Sequence, residues 1–75
     1  MPRGNKAFAI DYWKSEEPGD DPDLSDYDND KDVLEQRYSV IAAAQTCFRS
    51  AILYKRDPAG PVPPGWRQIG EVRKL

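Results

Sequence analysis

The 75-residue chain has no histidine, a single cysteine and no long apolar run. Without histidine, neither a Ser-His-Asp nor a Cys-His catalytic unit has its general base. One cysteine excludes an internal disulfide framework and leaves a Cys/His zinc site short of ligands. The apolar runs are far shorter than the roughly 20 residues of a transmembrane helix, and no secretory signal opens the chain. We therefore expect a non-enzymatic, cytoplasmic binding protein without metal, cofactor or membrane contact.

Apolar residues are also scarce for a chain that must build a core. They make up 39% of the sequence, against 32% charged residues and seven prolines. A core of this size supplies only about 3–5 kcal/mol, whereas ordering each residue costs roughly 1.5 kcal/mol. We expect one small monomeric domain over residues 1–75, with a minimal core and a disordered insert.

The charges are segregated along the chain, although the net charge is only −2. Residues 14–32 hold nine acids and two lysines, whereas residues 33–75 hold seven bases and three acids. Low hydrophobicity and mutual repulsion keep such an acidic stretch from collapsing. The pattern predicts a mobile acidic loop over residues 14–31.

Two short segments have the alternation of a β-strand. Phe8, Ile10 and Tyr12 alternate with smaller or polar residues, which predicts a strand over residues 6–13. A weaker alternation predicts a second strand over residues 66–72.

The longest periodic segment is helical in character. Residues 32–56 contain no glycine or proline, and their large apolar residues recur at spacings of three, four and seven. Asp32 and Glu35 resemble a capping box at its start. Four prolines in residues 58–65 predict an extended connector after it. The predicted fold class is α+β: one long amphipathic helix packed on a small two-stranded sheet, with a disordered acidic loop.

The aspartates at every second position form the most specific motif. Asp26, Asp28 and Asp30 match the first three ligand positions of an EF-hand loop. Lys31 stands where the loop needs glycine, and Arg37 stands where it needs a bidentate glutamate. A calcium site is therefore disfavoured.

Acids two residues apart in an extended chain lie on one side, about 6.6 Å apart. Such a row can contact a basic protein surface or imitate a phosphate backbone, and the alternative is a solvated loop that keeps the protein in solution. Tryptophan and arginine are frequent interface hot spots, although both tryptophans could instead cap the small core. The predicted partner-binding residues are Trp13, Asp20, Asp21, Asp23, Asp26, Asp28, Asp30, Trp66 and Arg67.

Arginine and cysteine side chains are two further candidates for function. Arg49 and Arg56 lie seven residues apart on the predicted helix and could bind nucleic acid, but the tethered acidic segment would compete for them. Cys47 lies beside the apolar stripe, which predicts a buried, inert thiol.

The runs MPRGNKAFAIDYW, DPDLSDYDNDKD and PVPPGW, in so short and polar a chain, resemble small phage-encoded inhibitors of host RNA polymerase. The resemblance implies a protein that binds bacterial RNA polymerase near the β′-subunit N-terminus and the β flap. It implies inhibition of promoter initiation, with antitermination, during host takeover. It assigns no functional residue.

Two other functions fit the same residues. The chain could be an acidic DNA-mimic decoy that inhibits a nucleic-acid-handling host enzyme. It could also be a module that binds nucleic acid directly through its basic residues.

Overall fold

The residues that the structure describes form a four-stranded antiparallel sheet with one helix. The computed structural model describes residues 6–44, 47–60 and 64–75. The strand order is β2-β1-β3-β4, so β1 and β3 are central and β2 and β4 are the edges. In chain order the elements are β1 (Phe8–Trp13), β2 (Leu24–Asp28), α1 (Lys31–Ala43), β3 (Ser50–Arg56) and β4 (Trp66–Lys74).

Both faces of the sheet bury apolar side chains, because successive residues of a strand point to opposite faces. The face that packs against α1 is called the helix face, and the opposite one the far face. The helix-face core consists of Ile10, Tyr12, Leu34, Ala51 and Leu53. The far-face core consists of Ala9, Trp13, Ile52, Tyr54 and Trp66.

The helix α1 is fixed at its start by a side-chain cap. The Asp30 side chain accepts a hydrogen bond from the backbone N–H of Asp32, which satisfies one of the unpaired donors of the first turn. The predicted cap at Asp32 is therefore displaced by two residues. Leu34 is fully buried against the sheet, whereas Val40 is 68% exposed.

The turn between β3 and β4 brings two glycines close to the strands. The N–H of Asp57 donates to the carbonyl of Gly65, and the N–H of Gly65 donates to the carbonyl of Gly60, at 2.9 and 3.0 Å. A Cβ atom at Gly60 would lie 2.0 Å from the carbonyl oxygen of Trp66. Gly65 has φ 86°, a conformation that side-chain-bearing residues rarely adopt. Both positions therefore require glycine.

The prediction of one long helix over residues 32–56 on a two-stranded sheet is wrong. The helix ends at Ala43, and Ser50–Arg56 forms the central strand β3. A central strand buried on both faces is apolar at successive positions, so periodicity alone does not distinguish it from a buried helix. Of the predicted helix, residues 45–46 lie outside the described residues.

The prediction of one disordered acidic loop over residues 14–31 is wrong for residues 24–28, whereas residues 14–23 lie outside helices and strands. Residues 24–28 form β2, which pairs antiparallel with β1 from Tyr12 opposite Leu24 to Phe8 opposite Asp28. The strand forms because its backbone completes the edge of the sheet, despite its low hydrophobicity.

The two predicted strands are present, as β1 and β4. Of the predicted connector over residues 58–65, positions 61–63 lie outside the described residues. The described parts on either side form turns.

Candidate protein-interaction surface

The aspartate row has a defined geometry on the strand β2. Asp26 and Asp28 pair with helix-face residues of β1, so their side chains project on the side of α1. The Arg37 guanidinium donates from Nη1 to Asp26 Oδ1 at 2.9 Å and from Nη2 to Asp28 Oδ2 at 3.4 Å. About half of the Arg37 side chain is exposed, and about a quarter of each carboxylate is. One arginine therefore bridges two acids and leaves this strand with excess negative charge.

A groove of about 460 Å³ lies beside this ion-pair cluster. One wall is a side of α1 that runs from exposed Val40 to Ile41, which packs against the helix-face core; residues three and four apart along a helix share a face. One apolar side chain that lines it, Val40, is 68% exposed, and Leu24, on the same face of β2 as Asp26, is 41% exposed. We call it the β2–α1 groove, and its lining residues are Asp26, Val33, Gln36, Arg37, Val40 and Ile41.

Three of the other predicted acids lie before the strand. Asp20 and Asp21 are exposed, and neither makes a side-chain hydrogen bond or ion pair with the described residues. The Asp23 carboxylate instead accepts a hydrogen bond from the backbone N–H of Lys14 at 2.7 Å. Thus Asp20 and Asp21 present their charge to solvent, whereas Asp23 holds the chain after β1.

Asp30, the last acid of the predicted set, serves the local structure. It is the N-cap of α1, and its backbone N–H donates to the Asp28 carboxylate at 2.9 Å. The aspartate row thus both caps the helix and carries the surface charge.

The three remaining predicted contact residues lie away from this groove. Trp13 is 4% and Trp66 2% exposed, on the far face. The Trp66 ring packs against Tyr27 and lies under the Arg56 guanidinium, 4.7 Å from the ring centroid. Arg67, on the strand β4, is exposed and donates to Asp57 at 2.7 Å. The structure therefore does not bring these three residues together with the acids.

A second ion pair joins the helix to the opposite edge strand. Arg73 of β4 donates from its two terminal guanidinium nitrogens, Nη1 and Nη2, to the carboxylate of Glu35, the Nη2–Oε2 distance being 3.0 Å. The same guanidinium lies 4.6 Å from the centre of the Tyr38 ring. The Arg73 hydrogen bonds lower the pKa of Glu35, and Glu35 raises the pKa of Arg73. The sequence does not indicate this contact, because Glu35 and Arg73 lie 38 residues apart and Glu35 fits the spacing of a capping box with Asp32.

Two buried polar atoms have no hydrogen-bond partner among the described residues: the Tyr12 hydroxyl and the Trp13 indole nitrogen. Burial raises the pKa of Tyr12 to about 12, and the nearby charge of Asp26 acts in the same direction. Tyr12 packs on Phe48 at a centroid distance of 5.5 Å, so its ring forms part of the core beneath α1.

The prediction of a buried thiol is wrong, because Cys47 is exposed beyond the end of α1. Among residues 6–44, 47–60 and 64–75, no three potential metal ligands cluster. The described residues also include no helix with the length and apolarity that crossing a membrane requires.

Comparison of the chain with protein-family models, with curated proteins and with solved structures finds no match.

Proposed function

We propose that the chain is a non-enzymatic binding protein that inhibits or reprograms bacterial RNA polymerase by protein–protein contact. The observation that carries this proposal is the acidic strand β2 beside the β2–α1 groove, which Val40 lines with a side chain that is 68% exposed. Exposed apolar side chains rimmed by charge are typical of protein-binding surfaces.

The sign of the charge favours a basic protein surface as the partner. Residues 14–32 hold nine acids and two lysines, and β2 lies inside this segment. A surface of this sign repels phosphate groups and steers cationic surfaces toward the groove. Direct binding of nucleic acid is thereby disfavoured on this side of the molecule.

RNA polymerase is the proposed partner because of the resemblance to phage-encoded inhibitors. We place the contact near the β′-subunit N-terminus and the β flap, with a block of promoter initiation and with antitermination as the results. A cytoplasmic location in the bacterial host follows from that partner.

The test is recovery of polymerase from a bacterial lysate by the tagged chain, followed by a promoter-dependent transcription assay. Polymerase subunits should be recovered, and the combined substitutions Asp20→Asn and Asp21→Asn should weaken recovery. The matched control is Glu71→Gln on β4, an exposed acid at the opposite edge of the sheet. Recovery of other proteins without any polymerase subunit would refute the proposal.

The same preparation separates the two alternatives. A DNA-mimic decoy would be displaced from its target by duplex DNA, and its affinity would fall steeply with salt. A direct nucleic-acid binder would shift labelled DNA by itself at low salt. Either result, in the absence of polymerase binding, would replace the proposed function.

A further inference from the structure

We propose that β2 is a docking edge, to which a partner adds an extended segment with alternating apolar and basic residues. The segment would lie antiparallel or parallel to β2 as a fifth strand, with its apolar side chains in the β2–α1 groove. This inference rests on the proposed protein-binding function and names the site and the chemistry of the segment that it takes.

The position of β2 provides the backbone part of the site. In the described part of the chain β1 is its only strand neighbour, so its outer side has no strand partner. An edge strand can take up another extended chain along its outer side, and the main-chain hydrogen bonds formed with that chain supply affinity.

The groove provides the side-chain part. Leu24 and Asp26 pair with the helix-face residues Tyr12 and Ile10, so they lie on the same face as α1. An added strand would direct every second side chain to this face, where Val40 is 68% exposed. Those side chains would fill the groove between β2 and α1 and cover Leu24 and Val40.

The charge of β2 selects the partner. A second copy of this chain pairing antiparallel through β2 would place aspartates opposite aspartates or close to them, and like charges across strands are destabilising. A segment that carries lysine or arginine would instead pair with Asp26 and Asp28. The occupant is therefore a basic segment of another protein rather than another copy of this one.

The opposite edge lacks these features. On β4, Gly70 has φ 74° and a register shift occurs opposite the stretch from Ala51 to Leu53. Exposed charged residues, Arg67, Glu71 and Lys74, are spread along it. An irregularity of this kind disfavours strand addition, and charges of mixed sign do not select a basic segment, so the two edges are not equivalent.

The test uses a decapeptide of alternating lysine and valine, titrated into the full chain and followed by backbone amide chemical shifts and hydrogen exchange. Binding should slow the exchange of outward-facing amides in Leu24–Asp28 by about tenfold and leave β4 unchanged. One control peptide has its two central residues replaced by proline, which removes their backbone donors. A second has the same composition with all lysines before all valines. Both should bind at least about fivefold more weakly.

Two pairs of variants of the chain test the assigned surface. Val40→Lys should weaken binding of the lysine–valine peptide by about tenfold. Ala42→Lys adds the same charge on the other side of α1 and should leave the affinity unchanged. Asp26→Asn should weaken peptide binding about two- to fivefold, whereas Glu71→Gln should leave the affinity unchanged. Val40, Ala42 and Glu71 are exposed, so their substitutions should leave the core intact. The melting temperature of each variant checks that the fold is retained.

Equal binding of the proline peptide, or protection that omits β2, would overturn strand addition and point to a helical or purely electrostatic ligand. Such a result would leave polymerase recovery unaffected. Conversely, peptide binding at β2 without polymerase recovery would refute the proposed partner and keep the docking edge.

Discussion

The ion pair between Glu35 and Arg73 joins the helix to an edge strand with which α1 has few other contacts, and its contribution to stability can be measured. Arg73 is 25% and Glu35 35% exposed, and the contact is bidentate. Exposed ion pairs contribute about 0.2–1 kcal/mol, and the partial burial and two-point geometry favour the upper end, about 1 kcal/mol. The Tyr38 ring beneath the guanidinium adds about 0.5–1 kcal/mol.

The proposed perturbation is a double-mutant cycle with Glu35→Gln and Arg73→Met, measured by urea unfolding. Glu35→Gln should lower the free energy of unfolding by about 1 kcal/mol, and Arg73→Met by about 1.5–2 kcal/mol. The coupling energy should be about 1 kcal/mol. For a domain of this size, Arg73→Met should lower the melting temperature by roughly 6–16 °C.

The coupling should depend on pH with a defined sign. Because the pKa of Glu35 is lowered in the folded state, its contribution is fully present above the pKa of the unfolded chain. It is lost as the pH falls through the folded-state pKa, which lies below the ordinary glutamate value of about 4.3. A coupling energy under about 0.3 kcal/mol at pH 7, or one that is unchanged at pH 3, would refute this assignment. Glu71→Gln is the control and should change stability by less than about 0.5 kcal/mol at every pH.

Two further predictions concern the core and the turn. Gly60→Ala should destabilise the domain by at least about 2 kcal/mol in the same unfolding assay, because its Cβ atom would overlap the Trp66 carbonyl. The control is Gly19→Ala, whose Cβ atom would have no other atom within 4 Å. It should lower the free energy of unfolding by less than about 0.5 kcal/mol. Tyr12→Phe should be neutral or stabilising at pH 7, since the buried hydroxyl has no partner in the described residues. Because the folded-state pKa of Tyr12 is raised to about 12, wild-type stability should fall as the pH rises above 10. Tyr12→Phe should not show this loss of stability above pH 10. Absorbance at 295 nm should show one tyrosine that ionises late in the wild type and none in the variant. An equal loss of stability above pH 10 in both proteins would contradict the assignment to Tyr12.

The acidic residues have two roles that conflict energetically. Asp30 caps α1, and Asp26 and Asp28 hold Arg37 of the same helix, so part of the negative charge stabilises the fold. Asp20 and Asp21 make no such contact within the described residues and contribute only repulsion there. A basic partner would relieve that repulsion, which is the physical reason to look for the binding function on this side.

Several local features follow from the amino-acid sequence by itself. Alternation of Phe8, Ile10 and Tyr12 specifies a strand, and the structure has β1 there, but both faces of β1 are buried and not one alone. The first half of the predicted helix is present as α1, because Leu34 and Tyr38 lie at helical spacing and an aspartate caps the start. These features depend on residues that are close to one another in the sequence, and the periodicity of apolar residues reports on such local patterns.

Only the tertiary structure decided the remainder. Residues 50–56 have apolar side chains that suit a helix stripe or a central strand, and pairing with β1 and β4 selects the strand. Leu24–Asp28 is too polar to predict as a strand, yet β1 offers it a complete set of backbone partners. The groove exists because β2 and α1 are brought together on one side of the sheet. Contacts between residues far apart in the chain leave no pattern in the local sequence. The composition of the acidic segment therefore indicates its charge, whereas its place at the edge of the sheet depends on pairing with β1.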